Sequence, residues 1–258
     1  MIKKLKKAIP AVISALLCIT IALGVTASAA NADIWKDTKA LTSLKYNSKY
    51  ISWAEKYSEK EAKNTVAYSK SRTKKFLDRL QKEAAAENPE YIFGLIDSDS
   101  MMCYVFAENS FKVVSLIDGE CNILYLNDNA MTVISTVKKT KASLKLDKDE
   151  TEEFNEITSE YADEYSDDVA ETFGFDIAEN AKGKIFKFRS DEKIYYYEEF
   201  DTDSYYENIG MVFTEKGTPI ALYINDITFC VTFKTTVDDS EFDIPKGYKT
   251  VDFDDFEY

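Results

Sequence analysis

Ile220-Ala-Leu-Tyr-Ile224-Asn-Asp-Ile227-Thr-Phe-Cys-Val-Thr-Phe233-Lys234 decides the fold class. Ile220, Leu222 and Ile224 share one side of an extended chain, and Ile227, Phe229, Val231 and Phe233 share one side of the next. Thr228, Cys230, Thr232 and Lys234 point the other way. A period of two with one polar side reads as an antiparallel sheet wetted on one face only. Asn225-Asp226 between the two runs supplies the turn of a hairpin.

Outward from this hairpin, apolar runs lie at Ile185–Arg189, Ile194–Phe200 and Met211–Thr214. Residues 91–137 break up in the same way, into Tyr91–Ile96, Met101–Phe106, Phe111–Leu116, Asn122–Leu126 and Met131–Val137. Asp118-Gly119 between two of these runs is a strong hairpin signal. Spacings within each set are too short for parallel crossovers, so both sets read as antiparallel meanders. Between them, Asp149 and Glu152 make a capping-box-like pair, and Phe154, Ile157, Tyr161 and Tyr165 recur at three- and four-residue steps. A helix over about 149–173 is expected, aromatic on one side and acidic on the other. Residues 33–88 read as a helical segment, Lys/Glu/Ala-rich and free of Gly and Pro, stopping at Asn88-Pro89. Trp53, Tyr57 and Ile51 mark one amphipathic piece of it, and Phe76, Leu77, Leu80 and Ala84 another. With no linker to divide them, residues 33–88 and 89–258 are read as one α+β domain.

The N-terminus carries a different message. Met1-Ile-Lys-Lys-Leu-Lys-Lys7 is a basic head, Ala8 to Val25 an apolar stretch, and Ala27-Ser-Ala29 a small-x-small site for signal peptidase, with a second such site at Ala30-Asn-Ala32. Residues 1–29 are therefore expected to be a cleaved signal peptide, and the mature protein to be secreted or extracytoplasmic, in the cell envelope. The other reading is an uncleaved anchor, but Pro10, Ser14 and Thr20 interrupt a stretch barely long enough to span a bilayer. No stable membrane span is expected after cleavage.

The chain has 32 basic and 46 acidic side chains, for a net charge of −14. Cleavage removes Lys3, Lys4, Lys6 and Lys7 and leaves the mature chain more acidic still. Such a surface repels nucleic-acid phosphates, which argues against a nucleic-acid partner. Histidine is absent, which removes Ser-His and Cys-His pairs and imidazole metal sites together. Of four cysteines, Cys18 would leave with the leader; the mature chain keeps Cys103, Cys121 and Cys230, odd in number and without a CxxC, so they read as buried thiols.

Acidic pairs at Asp97/Asp99, Glu198/Glu199, Asp201/Asp203 and Asp238/Asp239 have the residue type of glycosidases. With 46 acids in the chain, composition alone produces such pairs. Asp201-Thr-Asp203-Ser-Tyr205 begins like a calcium loop but lacks its third ligand and its glycine. Ser71-Arg-Thr-Lys74 and Ser190-Asp-Glu-Lys193 have the SxxK spacing without the companion motifs of β-lactamase-like enzymes. They read as solvated, the first on a surface helix and the second in a turn. A non-enzymatic protein with no cofactor and no metal is expected.

The seventeen tyrosines, with Tyr195-Tyr-Tyr197 and Tyr205-Tyr206 among them, either fill sheet faces or form platforms for sugars and peptides. The apolar sheet face likewise has two readings. It packs a helix as a filled core, or it opens to hold an acyl chain, each buried methylene contributing about 0.8 kcal/mol. Candidate contacts for an apolar ligand are Ile220, Leu222, Ile224, Ile227, Phe229, Val231 and Phe233 of the sheet, with Phe154, Ile157 and Tyr161 of the inserted helix.

The order of elements, closed by Val231-Thr-Phe-Lys-Thr-Thr-Val-Asp-Asp-Ser-Glu-Phe242-Asp-Ile-Pro-Lys-Gly-Tyr248, resembles the lipoprotein-carrier (LolA-like) superfamily. There a V-x-F strand leads through a polar loop into F-x-x-P-x-G; Val231, Phe233, Phe242, Pro245 and Gly247 match it. The likeness covers roughly residues 70–252 and rests on short motifs. It implies an unclosed, curved half-barrel with helices covering the concave face, and binding of lipid or acylated protein without catalysis. Outer-membrane carriers lock that lid with an arginine on an early strand, whereas residues 91–137 contain none. The expected protein is an exported monomer that binds an apolar ligand, either a small molecule or a lipid-modified partner. The alternatives are a cell-envelope module with a filled core, contacting protein or glycan, and a secreted hydrolase with two facing carboxylates.

Overall fold

A computed structural model describes residues 44, 46–84, 86, 89–98, 100–107, 110–117, 120–127, 130–146, 177–202, 208–224 and 226–256. The leader 1–29 and the inserted segment 149–173, with Phe154, Ile157, Tyr161 and Tyr165, lie outside the described residues.

Among the described residues, two helices accompany one large sheet. Helix α1 (Ser48–Ser58) is followed by strand β1 (Thr65–Ala67), a 3-10 turn at Tyr68–Lys70 and helix α2 (Arg72–Ala84). The first meander is β2 (Tyr91–Ile96), β3 (Met101–Ala107), β4 (Ser110–Ile117), β5 (Glu120–Asn127), β6 (Ala130–Ser135) and β7 (Thr140–Lys145). The second is β8 (Lys182–Ser190), β9 (Lys193–Asp201), β10 (Asn208–Thr214), β11 (Pro219–Ile224) and β12 (Ile227–Lys234). A short β13 (Lys249–Thr250) comes last. These thirteen described strands form one sheet in the order β1-β8-β9-β10-β11-β12-β2-β3-β4-β5-β6-β7-β13. Each meander thus keeps its sequence order, and β12 against β2 joins the two. Of the described strands, only β13 runs parallel to its neighbour, β7.

The hairpin read from the sequence is present, with Leu222 opposite Phe229 and Ile224 opposite Ile227. Asp226 takes the left-handed conformation (φ 65°) that so tight a turn demands. The alternation fails at one place. Val212 pairs with Ala221 and Phe213 with Pro219, so Ile220 is the extra residue of a bulge. It packs with Val212 and Tyr197 on the face opposite Leu222 and Ile224. A bulge turns one side chain to the other face at the cost of a local kink.

Two further expectations need correction. Residues 33–88 are not uniformly helical in their described part, because β1 separates the two helices. More consequentially, the sheet is not wetted on one face. Helix α2 lies on the face of Leu222 and Phe229, where Phe76, Leu77 and Leu80 join the cluster. The other face carries Cys230 and Ala221; Leu44 and the partly buried Tyr46, Tyr50 and Ile51 cover its centre, and Ala54 with Trp53 and Tyr57 covers β9–β11. The Asn47 N–H donates to the Cys230 thiol at 3.3 Å, and the thiol donates to the Asn47 carbonyl at 3.4 Å. Gly94 on β2 lets this contact close up: a Cβ there would push the Leu44 side chain aside.

Local chemistry starts both helices. The Asn47 side chain accepts from the Lys49 N–H at 3.1 Å, and the Ser71 hydroxyl oxygen accepts from the Lys74 N–H at 2.9 Å. Both are N-caps that satisfy otherwise orphaned donors of the first turn.

Candidate functional site

Of the sheet residues singled out as ligand contacts, Leu222, Ile224, Phe229 and Val231 are buried together, with Ile227 and Phe233 at the margin of the same cluster. Helix α2 lies against them. The Phe76 ring meets Phe233 edge-on at 5.4 Å, and the Arg79 guanidinium sits 5.5 Å over the Phe233 ring. The sequence therefore placed these six residues on a common face, and a described helix occupies that part of it. Ile220 lies on the opposite face, beside Tyr197 and Val212.

Beyond α2 the same face continues across the first meander in register. Phe93, Tyr104, Val113, Leu124, Val133 and Ala142 stand side by side across β2 to β7. A parallel row runs Tyr91, Phe106, Phe111, Leu126, Met131 and Leu144, its aromatic end held by ring contacts of 4.7 Å at Tyr91–Phe106 and at Phe106–Phe111. The row on the other flank turns polar after Met102: Ser115, Asn122, Ser135, Thr140. Ser115 and Ser135 are buried, and the Asn122 amide oxygen is shielded from solvent without a hydrogen-bond partner. Among described elements, the C-terminal segment with Val251, Phe253 and Phe256 packs at the far side of this area. The arrangement is a broad apolar floor with a band of hydroxyl and amide groups along one border, and it is a buried one: Val113, Leu124 and Val133 are 5%, 2% and 4% exposed. The sequence reading missed it because it weighted β11 and β12, where alternation is cleanest.

No family model matches the chain, and no curated protein does. Among solved structures it is similar to an uncharacterized conserved protein from Thermus thermophilus, at 12% identity and a TM-score of 0.32, over 70% of this chain and 99% of that one. A likeness that weak carries no argument about fold or function.

The acidic pair Glu198/Glu199 does not present two facing carboxylates, because successive strand residues face opposite ways. Glu198, fully buried, reaches the start of α2. Its Oε2 accepts from the N–H groups of Arg72 (2.8 Å) and Thr73 (3.0 Å) and from the Thr73 hydroxyl (3.2 Å), and its Oε1 from Arg72 Nη1 (3.1 Å). A carboxylate there also faces the positive end of the helix dipole. The Arg72 guanidinium stacks 3.5 Å over the Tyr196 ring. Glu199 serves the other face. It pairs with Lys184 at 2.6 Å and accepts from the Tyr197 hydroxyl, while Lys184 Nζ also donates to the Ser58 carbonyl at the end of α1. Burial, then the neighbouring Glu199 charge, pushes the Tyr197 phenol far up, so it stays protonated. Two adjacent residues of β9 thus hold two helices on two faces.

The Ser71-x-x-Lys74 run is likewise not solvated. Ser71 and Thr73 are fully buried as capping groups, and Lys74 pairs with Asp78 and Glu179. Of the other acidic pairs, Asp97 closes its turn by accepting from Ser100, and Asp238 accepts from the Ser240 N–H. Asp99 and Asp203 lie outside the described residues. No group of three metal-ligating side chains occurs among the described residues, and none of their helices is long and apolar enough to cross a membrane.

The F-x-x-P-x-G stretch forms a strap on the α1 face. Phe242 is buried there, and Lys112, itself 1% exposed, donates to the Glu241 carbonyl (2.6 Å) and carboxylate (2.9 Å). Beneath it, burial pushes the Cys103 thiol up to about 12. Cys103, Cys121 and Cys230 are buried thiols. In the native protein these thiols are expected to react with a thiol-specific reagent orders of magnitude more slowly than in denaturant, since the thiolate is the nucleophile. Fast native labelling at Cys103 would show the strap opening readily.

Proposed function

We propose that this protein is an exported, non-enzymatic binder of an apolar ligand: a lipid, an acyl chain or an acylated protein. The observation that carries the reading is the floor of Tyr104, Val113, Leu124 and Val133, continuous with the α2-covered area and bordered by Ser115, Asn122 and Ser135. Apolar rows suit hydrocarbon, and the polar border offers donors and an unmatched acceptor to an ester, amide or headgroup. The curved half-barrel implied by the lipoprotein-carrier resemblance would bring the rows closer around such a chain. The basic head, apolar stretch and Ala27-Ser-Ala29 site of the leader support export.

A second reading has its own observation in favour. Helix α2 fills the face of Leu222 and Phe229 as an ordinary core, as an envelope interaction module with a closed interior would have it. Native mass spectra of the secreted protein, combined with titration of a fluorescent fatty acid, separate the two. The binder is expected to carry an acyl species or to take one up saturably, with an N-terminus at Ala30 or Asp33. Retention of residues 1–29 would overturn export. Absence of any bound or titratable acyl chain would leave the interaction module.

A further inference from the structure

Strand β8 spans nine residues, Lys182–Ser190. Its outer neighbour β1 pairs only with Lys182, Gly183 and Lys184, and the Ile185 N–H then donates to the Asn64 carbonyl at 3.1 Å. Beyond that point no described strand borders β8. The direction of its outward backbone groups follows from the turn. Asp191 and Glu192 (φ 49° and 64°) form a two-residue hairpin loop between Ser190 and Lys193. Residues flanking such a loop exchange hydrogen bonds, so Ser190, Phe188 and Phe186 bond inward to β9. Lys187 and Arg189 therefore turn their N–H and C=O groups outward, in phase with the Ile185 N–H. The register with β9 is regular from Lys184 to Ser190, so no bulge twists this edge away.

The side chains beside the open edge are of two kinds. On the α1 face Phe186 and Phe188 are half-buried, with Tyr57 at 5.1 and 4.6 Å and Trp53 at 5.3 Å from Phe188. They make an aromatic shelf. On the other face Lys187 and Arg189 are exposed. In a chain of net charge −14, this strand holds Lys182, Lys184, Lys187 and Arg189 and no acid.

We infer that the outer edge of β8, from Ile185 to Arg189, docks an extended acidic peptide segment of a partner protein as an added antiparallel strand. Backbone groups of Lys187 and Arg189 supply the ladder, and side chains at alternate positions supply the choice of partner. Acids at every second residue lie over Lys187 and Arg189, and apolar residues between them lie on Phe186 and Phe188. A second copy of this chain is the poorer occupant. An antiparallel β8–β8 pairing centred on Lys187 sets lysine directly against lysine, which is repulsive. Lysines on an edge also discourage unselective pairing, and an acidic strand is the one partner for which the same charges attract.

The test uses the mature protein and two labelled heptapeptides, Glu-Val-Glu-Val-Glu-Val-Glu and its lysine counterpart, read by fluorescence anisotropy and by hydrogen exchange. The acidic peptide is expected to bind saturably, more weakly as salt rises, and to slow exchange of the Lys187 and Arg189 amides. Lys187→Pro removes an outward N–H while leaving the β9 ladder intact, and is expected to abolish binding with little change in melting. Should that variant fold poorly, K187E/R189E carries the test: it is expected to weaken the acidic peptide about tenfold or more and to admit the basic one. The proposal is overturned by any of three results. These are no binding of the acidic peptide, binding indifferent to peptide charge and to K187E/R189E, or a self-association of the protein that Lys187→Pro abolishes.

Discussion

Glu198→Ala is expected to lower the melting midpoint by about 5–15 °C and to release α2 before the rest of the sheet. The carboxylate is fully buried, and its two oxygens take four hydrogen bonds from the first residues of the helix. Alanine strands the N–H groups of Arg72 and Thr73 and the Thr73 hydroxyl in a dry site. Ser71 still caps α2, but losing a carboxylate that satisfies its first N–H groups costs about 1 kcal/mol, as loss of a cap does, and each buried donor left without a partner about 1–3 kcal/mol. Part of this is recovered, because Arg72 is 28% exposed and can turn to water. A net loss of about 2–4 kcal/mol follows. Glu198→Gln keeps an oxygen acceptor and loses the charge, so it is expected to fall between. Hydrogen exchange locates the effect: amides of residues 72–84 should exchange faster relative to those of β9. Glu199→Gln, acting through Lys184 and the Ser58 carbonyl, should instead loosen α1. Unchanged melting and unchanged α2 exchange in Glu198→Ala would mean that apolar packing by Phe76, Leu77 and Leu80 alone holds the helix.

The strands were legible because a half-buried strand repeats every two residues, and turns such as Asn225-Asp226 interrupt the repeat visibly. What covers them was not. Thr228, Thr232 and Lys234 look like a wet face, yet Cys230 among them is 2% exposed and bonded to Asn47 across 183 residues of sequence. A contact that distant leaves no periodicity at either end. Ile220 escaped for a different reason: a bulge shifts one side chain without changing composition. Glu198 did leave a signal. In Lys193-Ile-Tyr-Tyr-Tyr-Glu-Glu-Phe200, Glu198 stands at a core-facing position of a strand otherwise rich in aromatics. A buried carboxylate has to be paired or capped, and the nearby start of a helix at Ser71-Arg-Thr is the kind of partner to look for. Composition, with 46 acids, concealed it. The apolar floor was legible residue by residue, while its register across β2 to β7 needed the pairing itself.

Phe229→Asp is expected to be the more damaging substitution, with loss of the cooperative melting transition or a midpoint lowered by well over 10 °C. Phe229 is 5% exposed, stands opposite Leu222 and lies in the cluster that joins β11, β12 and β2 to α2. Truncating a buried phenylalanine costs about 3–5 kcal/mol through lost burial and the cavity left behind. Aspartate adds the burial of a charge in the apolar cluster that holds Ile209, Met211 and Val231. The sum rivals the whole stability of an ordinary domain. Two companions make the result specific to the face. Phe229→Leu keeps most of the apolar volume and is expected to fold with a modest loss, and Lys234→Glu on the exposed end of the same strand to change stability by about 0.5 kcal/mol or less. An unaltered melting curve for Phe229→Asp, measured beside these two, would place Phe229 outside the core and reverse the two faces of the sheet. The same series bears on ligand binding. If the acyl chain lies over Tyr104, Val113, Leu124 and Val133, Phe229→Leu should leave its uptake unchanged, because α2 already covers that part of the face.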